Sequence, residues 1–123
     1  TLKTHKDLKV WQNSILLVTR IYEITAGFPD EENMSDFTNQ KMFYINTIQY
    51  FEGAARSGSR EFVRFLYIAL GSLSELETQF IIAGNLKYCD NTEILEEIID
   101  IRKKMLSLIK SLKGETVKSE QGV

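Results

Sequence analysis

Phe62, Leu66, Ala69, Leu73, Leu76, Phe80 and Ala83 recur in alternating steps of four and three. An α-helix turns once in about 3.6 residues, so this rhythm sets all of them on one stripe of a single helix. A stripe this continuous is stable when other helices cover it, which commits the chain to a packed helical architecture. No segment shows the period-two alternation, bounded by turn residues, of a half-buried strand. The expected fold class is all-α.

Three breaks divide the rest. Gly27 and Pro29, followed by Asp30, Glu31, Glu32 and Asn33, mark the first, because Gly and Pro punctuate helices. Gly53 and Gly58, with small residues between them, mark the second. The third runs over residues 88–92, where Asp90 followed by Glu93 reads as an N-cap with a capping-box partner. The spacing predicts helices over 7–26, 35–55, 59–86 and 91–113.

In the first, capped by Thr4, Leu8, Trp11, Ile15, Val18 and Tyr22 form one stripe beside a second of Val10, Leu17, Ile21, Ile24 and Phe28, giving a wide buried face. The fourth keeps the four-three rhythm through Ile94, Ile98, Ile101, Met105, Leu108 and Leu112, flanked by Leu95, Ile99, Leu106 and Ile109. The second is least regular. Lys41 interrupts a stripe of Met34, Phe37, Tyr44, Ile48 and Phe51, while Phe43, Ile45 and Tyr50 point elsewhere. Large aromatics beyond what one stripe can hold suit a subunit interface, so Phe43, Tyr44, Tyr50 and Phe51 are the candidate oligomer contacts.

Short connections between consecutive helices make neighbours antiparallel, so the economical topology is an up-down-up-down four-helix bundle over residues 1–113. From Gly114 the chain turns polar, and 114–123 is expected to be a flexible tail. The third helix, about 40 Å long at 1.5 Å per residue, would overhang shorter neighbours.

A length of 123 residues fits one domain with a single core. No apolar run reaches the ~18 residues of a membrane span, and TLKTHKDLKVW lacks the regions of a secretory signal, so the cytoplasm is the expected location. Cys89 is the only cysteine, which excludes an intrachain disulfide, and reads as a small apolar residue near a helix end. Fifteen Lys plus Arg stand against 17 Asp plus Glu, for a net charge of -2, so the overall field does not attract nucleic acid.

Catalytic patterns are missing where a bundle would carry them. A di-iron site needs Glu-x-x-His pairs, and the only histidine is His5. Glu75 and Glu77, two positions apart, diverge by about 200° and cannot share a proton or a metal. Neither Cys89 nor any serine has a histidine base within the pattern. GAARSGSR, residues 53–60, lacks the GK[ST] ending of a phosphate loop. The expectation is a protein that is not an enzyme, with no cofactor, metal or small-molecule substrate.

Arg56, Arg60 and Arg64 are the candidate nucleic-acid contacts, placed with Ser57, Gly58 and Ser59 around a helix start whose free N–H groups and dipole favour anions. The alternative is a solvated face on which Arg60 and Arg64 pair with Glu61 or other acids. Arg102, Lys103 and Lys104 face Glu96, Glu97 and Asp100 one turn back, a spacing that suits pairing within the helix.

The tract EFVRFLYIALGSLSELETQ, with DLKVW at residues 7–11, Phe28-Pro29, Thr38-Asn39-Gln40 and Glu52-Gly53, resembles the 23S rRNA intervening-sequence proteins. The resemblance implies an antiparallel four-helix bundle that assembles as a homo-oligomeric ring, commonly a pentamer, and acts as a binding or scaffold module. A related bundle is the basic accessory variability determinant of retroelements, which binds a reverse transcriptase and nucleic acid. That relation implies RNA or a protein as partner. Where the family reads close to RRAAVSIPSNIAEG in the second helix, this chain has KMFYINTIQYFEG at 41–53, which reduces the basic pair to Lys41.

Overall fold

The computed structural model describes residues 4–29 and 35–121. Met34 and the acidic run at 30–33 lie outside them. All the described elements are helical: α1 (His5–Thr25), α2 (Ser35–Ile48), α3 (Phe51–Arg56), α4 (Ser59–Asn85) and α5 (Thr92–Gln121). The central helix α4 packs against α2, α3 and α5, and α1 packs against α5 and α2.

The α4 stripe is the core. Phe62, Leu66, Ala69, Leu73, Leu76, Phe80 and Ala83 are all buried, as is the predicted α5 stripe from Ile94 to Leu112. By length and mean hydropathy, 1.2, α4 is also apolar enough to cross a membrane, against the expectation that no apolar run is long enough. In α1, Thr4 Oγ1 accepts the Asp7 N–H at 3.0 Å, the expected cap. The predicted wide face is narrower in the fold. Val10, Leu17 and Ile21 are buried, but Leu8, Ile15 and Tyr22 lie exposed along the edge of α1.

The predicted second helix is two helices. Gln49 and Tyr50 form a turn between α2 and α3, with the Tyr50 N–H donating to the Thr47 carbonyl at 3.0 Å and Tyr50 itself at φ -91°, ψ 3°. Thr47 Oγ1 meanwhile donates to the Phe43 carbonyl at 2.7 Å, the back-bonding that weakens a helix near its end. The turn swings Phe51 inward, edge-on to Phe62 at 5.4 Å and to Phe65 at 5.6 Å between ring centres.

A Schellman motif ends α4: the Tyr88 N–H reaches the Ala83 carbonyl and the Lys87 N–H the Gly84 carbonyl, with Lys87 in the left-handed region at φ 62°. Asp90, the expected N-cap, sits one residue before the cap position, because α5 begins at Thr92. Its Oδ1 accepts from the Thr92 N–H and hydroxyl, which holds its carboxyl below the usual range, and Asn91 precedes the helix. α5 continues through Gly114 to Gln121, about two turns beyond the expected end at 113.

Candidate interaction surface

The short helix α3 and the turn after it present the arginines. Gly58, at φ 104° and ψ 166°, holds a conformation that side chains avoid, and it lets the chain reverse from α3 into α4 within two residues. Ser57 Oγ donates to the Gly53 carbonyl at 2.8 Å, closing the end of α3. No side chain caps α4, whose first turn carries Glu61. Arg56, Arg60 and Arg64 are all exposed at this end of the molecule, with Glu61 among them. Arg64 lines a groove of about 360 Å³ with Tyr50, Gly53, Glu61, Phe65 and Ile68.

A second groove, of about 470 Å³, continues along α2 and α4 from the shared wall of Ile68 to Phe43, Gly71, Ser72 and Glu75. Phe43 is 52% exposed and Tyr50 70%, so these two keep the surface position expected of interface aromatics. Tyr44 and Phe51 do not. Both are fully buried within the single chain, because the turn at Tyr50 folds Phe51 onto Phe62 while Tyr44 continues the α2 core stripe. Ile68, 47% exposed, belongs to the same surface, and its place three residues before Gly71 on the outer side of α4 was the signal for it.

The charged residues of α5 pair mostly between helices. Arg102 makes hydrogen bonds of 2.7 and 3.3 Å to the two carboxylate oxygens of Glu77 on α4, and Arg20 of α1 pairs with Glu97. Only Lys104 follows the expected pattern within the helix, meeting Asp100 at 2.8 Å, among the described residues. Partial burial pushes the Glu97 carboxyl up, Arg20 opposing that shift and Glu93 adding to it. Glu75 and Glu77 point apart as expected: Glu77 turns to Arg102 and Glu75 faces the open groove.

Among the described residues, three side-chain polar atoms are buried without a hydrogen-bond partner: Asp7 Oδ1, Tyr44 OH and Ser72 Oγ. Burial pushes the Tyr44 hydroxyl well above its ordinary range, the neighbouring Ser14 hydroxyl opposing it. Ser14 itself donates to the Val10 carbonyl at 2.9 Å. Cys89 is half-buried against the core, and burial, with Asp90 beside it, pushes its thiol up. A thiol so shifted is a weak nucleophile.

The model of the family described as 23S rRNA-intervening sequence protein matches residues 6–111, from the first turn of α1 to near the end of the α5 core stripe. The chain belongs to this family. The match spans α1 to α5 and so contains the Arg56–Arg64 turn and both grooves. No curated protein matches the chain.

Proposed function

We propose that this family member works without catalysis, as a homo-oligomeric scaffold or binding module in the cytoplasm. Its architecture is an antiparallel up-down-up-down four-helix bundle, α2 and α3 together serving as the second helix. Cross-helix pairs support that topology: as numbers rise from Tyr67 to Glu77 on α4 they fall from Lys113 to Arg102 on α5. The same reversal relates Lys6 and Asn13 of α1 to Ser111 and Lys104 of α5. In this reading α4 is the core helix of a bundle, its apolar stripe covered by protein rather than lipid.

The observation that carries the oligomer is the exposure of Phe43, Tyr50 and Ile68 along one continuous pair of grooves. Large apolar groups gathered on one surface mark interaction sites, and family resemblance adds the ring, with five subunits favoured. Chemical cross-linking at low micromolar concentration tests it: a ladder of subunit multiples ending at a fixed size is expected, and a single monomer band would refute it.

A second reading, an accessory factor that contacts nucleic acid, is favoured by the exposure of Arg56, Arg60 and Arg64 around one helix start. Phosphate contacts weaken steeply as salt rises, so titration with RNA at two ionic strengths separates this reading from a module that ignores nucleic acid.

A further inference from the structure

Opposite its core stripe, α4 carries a second stripe at the same spacing: Glu61, Arg64, Ile68, Gly71, Glu75 and Ile82, all exposed. Gly71 is the odd member. Glycine in mid-helix is disfavoured relative to alanine, yet a Cβ at Gly71 would meet nothing within 4 Å, so no contact within the chain calls for it. Gly53, on the wall of the adjoining groove, has the same open surroundings. A glycine on a groove floor lets another chain approach the backbone closely.

The complementary ridge lies on α5. Ile99, Lys103, Leu106, Lys110 and Lys113 recur in steps of four and three on its outer side, with Ile99 40% and Leu106 48% exposed. The groove offers apolar floor with the carboxylates of Glu61 and Glu75, Arg64 standing between them along the stripe, and the ridge offers apolar knobs and ammonium groups. No ion pair engages Glu61, Glu75, Lys103 or Lys110 among the described residues.

We propose that the α2–α4 groove receives the α5 ridge of a second copy of this chain, Leu106 seating over Gly71 and Lys103 and Lys110 meeting Glu75 and Glu61. The proposal rests on the homo-oligomer reading and names its two faces. They are different surfaces of one chain, so the contact is head-to-tail and must either close or run on as a filament. α4 packs against both α2 and α5 and stands at the corner between the two faces.

The test is the oligomer mass, by light scattering, of four variants of the full chain: Leu106→Glu, Gly71→Leu, Glu61→Lys with Glu75→Lys, and Lys103→Glu with Lys110→Glu. Each change is exposed, and circular dichroism melts verify that the fold survives. Each variant is expected to raise the dissociation midpoint at least tenfold, and the chain carrying all four charge reversals is expected to recover assembly. An oligomer indifferent to every change would overturn the assignment of faces while leaving the homo-oligomer reading intact. A wild-type monomer at all concentrations would overturn both.

Discussion

The Asn91 side chain occupies the space that a Cβ on Gly84 would need: its Cγ lies 2.6 Å from that position, while its Nδ2 donates to the Phe80 carbonyl at 3.0 Å. This contact ties the last turns of α4 to the start of α5. Gly84→Ala should therefore destabilise by about 1–3 kcal/mol, the ordinary cost of overpacking a fixed site. Asn91→Ala should cost about 1 kcal/mol through the lost hydrogen bond. Because Asn91→Ala also removes the clash, the double variant should be clearly more stable than the sum of the two losses implies. Additive urea midpoints would show that the residues do not compete for space.

Leu73 is fully buried at the centre of the α4 stripe, and Glu96 is exposed on the outer side of α5. Leu73→Ala should cost about 2–5 kcal/mol, because the cavity cannot be refilled from a packed stripe. Glu96→Ala should stay within about 0.5 kcal/mol. Equal denaturation midpoints would mean that the helices face the wrong way.

How much of this was legible in the sequence differs from helix to helix. In α4 and α5 an unbroken four-three rhythm named the buried residues, because one period and one face decide burial there. In α1 two stripes of similar apolarity competed. Periodicity does not say which lies against the core, and the fold buried Val10, Leu17 and Ile21 and left Ile15 and Tyr22 at the edge. In α2 the turn at Tyr50 carries no Gly or Pro signal; it depends on tertiary packing of Phe51 against Phe62, which local pattern does not encode. The arginine turn was legible because Gly58 punctuates it. The rhythm of α4 also places Ile68 and Gly71 off the core stripe, but the groove they line depends on where α2 packs, which the α4 pattern does not encode.

Tyr44 places a hydroxyl in the core with no hydrogen-bond partner. Tyr44→Phe removes that desolvation cost and should be neutral or stabilising by up to about 2 kcal/mol. The pH dependence has a definite sign. Burial raises the folded-state pKa above the unfolded value of about 10, so this group leaves stability unchanged below about pH 10, and above it the unfolded chain ionises first and stability falls as pH climbs. Denaturant midpoints from pH 8 to 11 should fall less steeply for Tyr44→Phe than for wild type. Parallel slopes would place the hydroxyl in contact with solvent.

Net charge of -2 repels a polyanion at long range, but screening confines that repulsion to about 8–10 Å at physiological salt, so the exposed Arg56, Arg60 and Arg64 can still act at contact distance. Weak, sequence-independent RNA binding is expected at low salt, lost at physiological salt and abolished when the three arginines are changed together to alanine. Binding that survives high salt, or that ignores the triple change, would locate the contact elsewhere on the molecule.

In the proposed oligomer, further copies of the chain cover the exposed Phe43, Tyr50 and Ile68. Native mass spectrometry across a concentration series tests it most directly. One dominant closed species at a fixed multiple of 14.2 kDa is expected, with five subunits favoured. A 14.2 kDa monomer persisting at micromolar concentration and above would contradict it.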